Sequence, residues 1–574
     1  MLSLFKRVFF VLMFMLAGAQ HLALAQVKEV ANPLLKAGTP GGKLTVPIFV
    51  HPTTFNPIIA VLDELDILLH ASLLELNPIT GVLEPGLASR YEVSSDNRTI
   101  TFFLREGLRW SDGHPFTVKD VAFTYQDLVF NQSVPAVNQE FFRANGQLPK
   151  FKTVDGQTVS FTFPRPIWSF LRVIEIQMIL PQHALQEVIA SPDRLLKAWS
   201  LETTPDEIVG MGPFQLVEYV PNKRVLLTRN EFYWKTDRVG QPLPYLDQIA
   251  AEITNREDAT QEFLSNGIDY VSPLTLESKF QFSNFAPPFT FVRSGAETLF
   301  DFLAFNMDVS DEELRTIFRS PLFRQAISLA IDRKQVVQQA YRGFGVQRFN
   351  PVHPNSPFVV RVSKFSFDLE QARMKLKQLG LIDTDEDGLV NLKDGRPFRF
   401  TLLTDVDNTV QQAIAQQLSG DMGRLGIEVK IETVPLEELN RRLRQRGPLF
   451  SLFGPSFEAV LTDFVGTIDP GPLGLLYATE GPDQFYHFSA VDEPFDYEQR
   501  INTIFHKAKM TFDNRRRQTL FAEFQKIVSK QLPIIPIASA EFVVATRRII
   551  GNIEAVKAVG GDGPIDLIDV LFVQ

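Results

Sequence analysis

The sequence predicts a globular protein of more than one compact unit that contains both strands and helices, and three observations carry that prediction. The chain has 574 residues, of which 45% are hydrophobic and 22% charged, an ordinary composition for a globular protein. At about 100–200 residues per domain, this length favours about two to four units. Runs typical of strands, such as residues 99–104, and amphipathic runs typical of helices, such as residues 368–380, occur at separate places along the chain.

The N-terminal segment predicts an exported protein. Lys6 and Arg7 precede an apolar run at about residues 8–19, and residues 23–25 read Ala-Leu-Ala. A basic start, a short apolar run and an A-x-A site are typical of a secretory signal peptide. A membrane anchor is the alternative, but the run is shorter than the ~20 apolar residues that a spanning helix needs. We therefore expect residues 1–25 to be removed as a signal peptide.

The chain contains no cysteine, which excludes disulfide bonds and a lipid anchor of the bacterial lipoprotein type. An exported chain with no Cys forms no disulfides, so packing and hydrogen bonds alone must hold its fold. It also lacks the residue that anchors a bacterial lipoprotein. We expect a soluble periplasmic protein that is not a lipoprotein. The formal net charge of −10, with no basic stripe, argues against a nucleic-acid partner.

Common catalytic motifs are missing from the chain. None of the 8 His residues stands within five positions of another, so no zinc-binding spacing of the HExxH kind occurs. Neither a GxSxG elbow nor a GxxxxGK[ST] loop is found. We expect no enzyme. Two other hypotheses remain: a secreted hydrolase that uses carboxylates in a cleft, and a calcium-dependent structural or adhesion protein.

Local patterns predict the first elements in order. Residues 44–50 form an apolar, β-branched run that is typical of a strand. Residues 95–97, Ser-Asp-Asn, predict a turn that leads into a second strand at residues 99–104. Thr117 stands three positions before Asp120, which is the spacing of a capping box. A helix is therefore expected to begin at Thr117.

Short motifs along the chain match one family in the same order. They are Leu87-Ala88, Leu104-Arg105, Trp110-Ser111-Asp112-Gly113, Asp120-Val121, Gly210-Met211-Gly212-Pro213-Phe214, Arg229-Asn230, Tyr233-Trp234, Pro244-Tyr245-Leu246-Asp247, Asn266-Gly267-Ile268-Asp269, Arg324-Gln325-Ala326, Ala330-Ile331-Asp332-Arg333 and Gly343-Phe344-Gly345. In these motifs the sequence resembles the family 5 extracellular solute-binding proteins, which include dipeptide-, oligopeptide- and nickel-binding subunits of ABC importers. The resemblance runs from about residue 42 to the last residue.

The resemblance implies an α/β, two-lobed, periplasmic-binding-protein-like fold of type II, with a solute buried between hinged lobes. It implies a discontinuous first lobe at residues 26–56, 200–285 and 535–574, with a subdomain inserted at residues 57–199. Residues 286–534 would form the second lobe. The partners implied are a peptide or small-molecule ligand and the ABC permease subunits of the inner membrane, and the protein is expected to be a monomer.

Two stretches match the parts of peptide-binding relatives that contact the ligand. Phe49 and His51 correspond to a strand and loop near the N-terminus, although sheet core and a loop cap are equally good interpretations of them. Residues 461–474 correspond to a glycine-containing loop of the second lobe. Its candidate ligand contacts are Asp463, Phe464, Gly466, Thr467 and Asp469.

The second stretch departs from the family pattern at one position. Peptide-binding relatives carry an aspartate four residues before the loop proline, where it pairs with the terminal amine of the peptide. Here Gly466 stands four before Pro470, or Thr467 if one residue is deleted. Asp463 or Asp469 could supply the charge, since an unpaired buried ammonium costs several kcal/mol. Asp469 could equally form a turn before the proline, and a ligand without a free amine is the further alternative.

An acidic loop at residues 383–395 is similar to a calcium-binding loop. Its candidate ligands are Asp383, Asp385, Asp387, the Leu389 carbonyl, Asn391 and Asp394. A helix is predicted before the loop, but a strand is predicted after it, whereas an EF-hand needs a second helix. The last acidic position is an aspartate rather than the longer Glu of EF-hands. A solvated turn and a structural calcium site both remain open, and either would be an accessory to the lobe.

Overall fold

The computed structural model describes residues 35–49, 51–60, 64–166, 168–283, 289–444, 457–547, 550–558 and 563–573. The predicted signal peptide, residues 1–25, lies outside the described residues. So does Val50, which stands between two of the predicted ligand contacts. None of the helices in the described ranges has the length and apolar composition that a membrane crossing requires.

Strands occur along the whole described chain. They are β1 (Lys43–Ile48), β2 (Leu74–Leu76), β3 (Leu83–Pro85), β4 (Ala88–Val93), β5 (Thr99–Leu104), β6 (Lys150–Asp155), β7 (Thr158–Thr162), β8 (Phe214–Val220), β9 (Arg224–Arg229), β10 (Gln248–Ile253), β11 (Tyr270–Val271), β12 (Thr290–Ala296), β13 (Leu299–Phe305), β14 (Gly345–Gln347), β15 (Arg399–Asp405), β16 (Glu428–Val434), β17 (Ala459–Val465), β18 (Ile534–Thr546), β19 (Ile550–Gly551) and β20 (Phe572–Val573).

Helices alternate with these strands. They are α1 (Asp66–Leu69), α2 (Val118–Ala122), α3 (Phe170–Ile176), α4 (Gln182–Leu185), α5 (Pro192–Lys197), α6 (Arg256–Leu264), α7 (Leu276–Ser283), α8 (Glu312–Arg319), α9 (Pro321–Ala330), α10 (Arg333–Gln339), α11 (Leu369–Gln378), α12 (Thr409–Gly423), α13 (Leu436–Arg444), α14 (Gly474–Tyr477), α15 (Asp496–Lys509) and α16 (Asn514–Gln531). A π-helical segment, Phe123–Val129, continues α2, and short 3₁₀ turns lie between several elements.

Three larger sheets organise the chain. One has the strand order β1-β10-β9-β8, with β1 parallel to β10. An antiparallel sheet of order β4-β5-β7-β6 is formed by residues that lie between β1 and β8 in the chain. The largest has the path β11-β18-β13-β17-β15-β16, with β12 and β14 also paired to β18. In it β15 runs parallel to both β16 and β17, as in an α/β lobe whose helices cover the sheet.

Separate hydrophobic cores divide the molecule into two lobes. The first core collects buried side chains from residues between 35 and 292 and between 542 and 572. Two others lie on opposite faces of the largest sheet: Leu303 and Phe305 of β13 belong to one, and Phe300 and Phe302 to the other. Because side chains alternate between the faces of a strand, this sheet is covered on both sides.

Strand β18 belongs to both lobes. Near its beginning, Ile535 and Ile537 pack into a core of the large sheet, whereas Phe542 and Val544 farther along pack into the first core. Strands β12 and β13 both pair antiparallel with β18: β13 with the first part of β18 and β12 with the second part. The two lobes are therefore linked by antiparallel strands that cross from one to the other. The lobe boundaries implied by the family resemblance stay a prediction.

Several local predictions are confirmed. The backbone N–H of Thr117 donates to the Asp120 carboxylate at 2.7 Å, and the Thr117 hydroxyl accepts from the N–H of Lys119, so the capping box is formed. Asp368 caps the predicted amphipathic helix, which is α11, by accepting from the N–H of Gln371. The strand expected after the acidic loop is β15.

Candidate functional site

The candidate site lies at the carboxyl ends of β15 and β17. Asp405 is the last residue of β15, and after it the chain enters α12, whose N-cap Asn408 accepts from the N–H of Gln411. Asp463 lies near the end of β17, parallel to β15. Open α/β sheets bind ligands in the crevice outside the carboxyl ends of their strands, so the topology itself favours this edge.

Two carboxylates face each other at this edge. Asp301 of β13 is the register partner of Asp463 of β17. The Gln411 side-chain amide donates to Asp301 Oδ1 at 3.1 Å and to Asp463 Oδ2 at 2.9 Å. The hydroxyl of Tyr341 donates to the other oxygen of Asp301. Both oxygens of Asp301 are thus satisfied, whereas Gln411 is the partner seen for Asp463 within the described ranges.

The electrostatics of this pair favour an added positive charge. Burial raises the pKa of the Asp301 carboxyl to about 7, and repulsion from Asp463 adds to the increase. Burial also raises the pKa of Asp463, helped by repulsion from Asp405, although the hydrogen bond from Gln411 opposes the change. Asp463 is only partly buried. A cation placed beside it would relieve the mutual repulsion of the three acids.

Asp469 already has a protein partner. Its two carboxylate oxygens each lie 2.9 Å from Nη2 of Arg517, and one of them accepts from the N–H of Gly471 at 2.8 Å. Arg517 is buried, and its guanidinium carbon lies 3.2 Å from the centre of the Trp168 indole. The Asp469 charge therefore balances a buried guanidinium and fixes the loop that follows β17.

The same loop is a meeting point of the two lobes. The N–H of Trp168, which packs against the first core, donates to the carbonyl of Lys509 in α15 at 2.7 Å. The Ser356 hydroxyl, which comes from the lobe of the large sheet, donates to the Ile468 carbonyl at 2.6 Å and braces the loop within that lobe. The Ile468 side chain packs so closely on Gly81 that a Cβ at that glycine would overlap it. Gly81, in the turn between β2 and β3 of the first lobe, thus contacts the loop after β17 directly.

The remaining predicted contacts fall in two places. Phe464 points to the opposite face of β17 from Asp463 and packs near Phe300, with ring centres 6.3 Å apart. Gly466 is buried, and its N–H donates to the Thr298 carbonyl at 3.1 Å; Thr467 is exposed. Phe49 and His51 lie apart from this loop, at the end of β1. The ligand-contact roles of all these residues stay predictions.

At the end of β1 the two candidates differ in exposure. Phe49 is partly buried and packs against a small core that includes Phe263, with the Arg256 guanidinium carbon 5.2 Å from its ring centre. His51 is exposed. Phe49 therefore has a packing role, which does not decide whether it also contacts a solute.

In the acidic loop, three of the six candidate ligands approach one another. Carboxylate oxygens of Asp383, Asp385 and Asp387 lie within 4.8 Å of each other. The Asp383 oxygens accept from the N–H groups of Glu386 and Gly388 at 2.7 and 2.9 Å. Each of these bonds uses a lone pair that a cation would otherwise take.

The other candidates of the acidic loop have different arrangements. The Asn391 side-chain oxygen accepts from the N–H of Thr384 at 2.7 Å, and the Asp394 carboxylate pairs with Arg396 at 2.7 Å. Leu389 donates its own N–H to Asp387 at 2.8 Å. The residues fit a cation on one side of the loop only, so the calcium site stays a prediction that depends mainly on the three aspartates.

Sequence reasoning missed the partners of Asp463. Asp301 stands alone as an acid in the apolar run LFDFLAF, and Gln411 follows directly after a strand and a helix N-cap. A lone carboxylate inside a buried strand is a signal that could have been used, because such a group needs a partner. The Arg517 contact with Asp469 joins residues 48 positions apart and has no local signal.

Together, two lobes joined by shared strands and a cluster of acids at strand carboxyl ends are the architecture of two-lobed solute-binding proteins. A family model described as bacterial extracellular solute-binding proteins, family 5 Middle, matches residues 82–463. That match covers more than half of the chain. The chain therefore belongs to the family 5 bacterial extracellular solute-binding proteins.

Curated relatives agree with this assignment. The chain is 27% identical over 494 residues to a probable ABC transporter-binding protein of Deinococcus radiodurans, covering 82% of this chain and 81% of that protein. It is 26% identical over 503 residues to a periplasmic alpha-galactoside-binding protein of Rhizobium meliloti, covering 79% and 68%. It is 24% identical over 524 residues to the dipeptide-binding protein of Escherichia coli, covering 87% and 89%.

A solved structure supports the fold. The oligopeptide-binding protein OppA superposes with a TM-score of 0.77 at 20% sequence identity, covering 94% of this chain and 92% of that chain. The two-lobed α/β fold expected from the family resemblance is thus confirmed. Proteins of this family bind their solutes outside the cytoplasm and work with ABC permeases, and this chain is the solute-binding component of such an import system.

Proposed function

We propose that this protein captures a peptide, or a similar polar solute with a cationic amine, and that the amine pairs with Asp463. The solute is held between the lobes and delivered unchanged to the permease. The single observation that carries the proposal is the facing pair of Asp301 and Asp463, bridged by Gln411 at the carboxyl ends of the strands. Similarity to the dipeptide-binding protein of Escherichia coli supports the solute class.

The arrangement of hydrogen bonds supports Asp463, over Asp301 and Asp469, as the proposed counter-charge. Asp301 is buried and accepts from both Gln411 and Tyr341, so its oxygens are occupied. Asp469 is held by Arg517. Asp463 is partly buried, carries a raised pKa and has lone pairs to spare, which are the properties of a carboxylate that stabilises a desolvated ammonium.

A second candidate solute is an α-galactoside. The Rhizobium meliloti relative is named for that solute and is 26% identical to this chain. Sugars carry no ammonium group, so an α-galactoside would leave the repulsion between Asp301 and Asp463 in place. The acid pair therefore favours the amine.

A matched pair of ligand libraries tests the proposal. A set of tripeptides and the same set acetylated at the amine are compared by thermal shift, and the strongest binders by isothermal titration calorimetry. Free amines should raise the melting temperature, because a bound ligand stabilises the folded state, and acetylated ones should not. Raffinose is included as the α-galactoside. Stabilisation by raffinose alone would contradict the amine proposal and favour the sugar.

The substitution Asp463→Asn tests whether this carboxylate binds the amine. It keeps the size of the side chain and removes its charge, so affinity for a free-amine tripeptide should fall more than about tenfold, or about 1.4 kcal/mol. Asp469→Asn is the matched control: it removes the partner of Arg517 and not the proposed counter-charge, so the preference for the free amine over its acetylated form should remain. Equal affinity of wild type and Asp463→Asn for the free amine would reject the role of Asp463.

We also propose that the protein does not alter the solute it binds. The captured solute should be recovered intact and in one-to-one ratio with the protein, as shown by mass spectrometry after mild denaturation. Repeated turnover of the bound peptide would instead support the secreted hydrolase.

The remaining expectations concern the mature protein. We propose a periplasmic monomer that starts at Gln26, carries no lipid and binds no nucleic acid. The A-x-A site and the absence of cysteine support this form. N-terminal sequencing of the exported chain and light scattering of the purified protein test it directly.

A further inference from the structure

Three side chains that can ligate a metal ion lie together on the surface of the first lobe, away from the candidate solute site. Asp112 and His114 belong to the turn after Trp110, and His183 lies in α4. His183 Nε2 lies 2.8 Å from Asp112 Oδ2, and His114 Nδ1 lies 3.0 Å from the same oxygen. One ligand atom from each residue lies within 4.8 Å of the others.

The two imidazoles are arranged side by side. Their rings stack with centres 4.2 Å apart and planes inclined by 21°. Parallel rings with one nitrogen of each directed at a single carboxylate oxygen present two nitrogens and one oxygen to the same small volume. These are the donors that Zn²⁺, Ni²⁺ and Cu²⁺ prefer, whereas Ca²⁺ and Mg²⁺ take oxygen ligands.

The backbone holds this arrangement firmly. The N–H of Trp110 donates to the His114 carbonyl at 2.8 Å, and the N–H of His114 donates to Asp112 Oδ1 at 3.0 Å. The N–H of Ser111 donates to the Gly210 carbonyl at 2.9 Å, which ties the turn to the chain beyond it. A site whose ligands are fixed in advance loses little conformational entropy when it takes up an ion.

On the other side, α4 is fixed by the capping aspartate of α2. The N–H of Gln182 donates to Asp120 Oδ1 at 2.9 Å, so His183 is set next to the turn that bears the other two ligands. Asp112 and His183 are 27% and 28% exposed and His114 is 59% exposed, so an ion can enter and solvent can complete its coordination.

We propose that Asp112, His114 and His183 form a binding site for a divalent transition metal of the Zn²⁺ type. Three protein ligands leave a fourth position for water or for a donor from a partner. The ion would join two segments that lie 71 residues apart in sequence. The proposed metal site is separate from the candidate solute site, because none of its ligands lies in the elements that carry Asp301, Gln411 or Asp463.

Calorimetric titration of the full-length mature protein with ZnCl₂ tests the site. We expect one ion per chain, with affinities in the order Mn²⁺ below Ni²⁺ and Zn²⁺, and Cu²⁺ highest. His114→Ala and His183→Ala should each lower Zn²⁺ affinity at least tenfold, and the double variant should abolish the stoichiometric phase. Circular dichroism confirms that each variant is folded.

Two controls and a spectroscopic readout make the result specific. His506→Ala removes an exposed histidine of α15 and should leave Zn²⁺ affinity unchanged. Asp385→Asn, in the acidic loop, should also leave it unchanged. With Cu²⁺, electron paramagnetic resonance should show coupling to two nitrogens in the wild type and to one in His114→Ala. Unchanged Zn²⁺ affinity in the double histidine variant, or no binding by the wild type, would overturn the proposal.

Discussion

At the scale of single residues, the most informative group is the buried carboxyl of Asp301. It lies in a strand that is otherwise apolar, and it faces a second carboxylate, Asp463, across the sheet. Gln411 donates one hydrogen bond to each, so an amide bridges two acids that would otherwise repel each other. A cation bound beside the two acids would offset their repulsion, so the same residues would affect both stability and affinity.

Because the pKa of Asp301 is raised, we expect the free energy of unfolding to depend on pH through this residue. The folded-state pKa is about 7, above the usual 3.8, because burial disfavours the charged form. Between about pH 4 and about pH 7 the folded protein therefore binds more protons at this site than the unfolded chain. The free energy of unfolding should fall through this site as pH rises across that window.

Asp301→Asn checks this prediction. The amide does not titrate, so the decrease in unfolding free energy between pH 5 and pH 8, measured by urea denaturation, should be smaller in the variant than in the wild type. Asp463→Asn is the companion variant: it removes the repulsion and should lower the pKa of Asp301. An identical pH dependence in Asp301→Asn and wild type would show that this carboxyl titrates normally.

At the scale of elements, the acidic loop between α11 and β15 offers a separate test. Gly388 has a φ of +89° and Glu386 a φ of +63°, so the loop turns tightly enough to bring three aspartates together. Extracellular modules of this type bind calcium weakly, at about 10⁻⁴–10⁻³ M. Millimolar CaCl₂ should therefore raise the melting temperature slightly.

Asp385→Asn isolates the contribution of the acidic loop. Asp385 sits between the other two aspartates, so its loss should remove the calcium-dependent increase in melting temperature. His114→Ala, in the proposed transition-metal site, should leave that increase unchanged. A wild-type melting temperature that does not respond to calcium would identify the loop as a solvated turn.

Elements with local signals were predicted well from the sequence. The capping box at Thr117, the amphipathic helix that follows Asp368 and the strand after the acidic loop were all predicted from neighbouring residues. Groups that meet through long-range contacts were not predicted, because no spacing in the chain reports them. His114 and His183 are the clearest example: they stack in space, although the sequence shows histidines with no metal-binding spacing.

At the scale of the whole molecule, the strands that link the two lobes pair irregularly. Strand β18 passes from one core to the other, and its pairing with β12 changes register between Arg293 and Gly295. Its pairing with β13 changes register between Asp301 and Phe302. Such irregularities bend a sheet locally, so the crossing strands can act as a hinge. One bend borders the acid pair of the candidate site.

Because the lobes touch at Gly81, we expect a methyl group added at this residue to change how closely they approach. Gly81 has a φ of +66°, and a Cβ there would overlap Ile468 in the loop after β17. Gly81→Ala should therefore disfavour the arrangement in which the lobes touch and increase the radius of gyration in small-angle scattering with ligand present.

Gly146→Ala is the matched control for this effect. Gly146 has a similar φ of +74°, and no described atom lies within 4 Å of a Cβ at that position. Both substitutions carry about 1–2 kcal/mol of backbone strain, but only the one at Gly81 meets the other lobe. An equal radius of gyration in the two variants would mean that this contact does not limit closure.

Closure of the lobes over the solute is tested by small-angle scattering of the wild-type protein before and after addition of the tripeptide that binds best. The protein is first stripped of bound solute in urea and refolded. Two lobes that close over a captured solute predict a smaller radius of gyration at saturation, with the peptide recovered intact. A radius of gyration that does not change at saturating peptide would contradict closure around the solute.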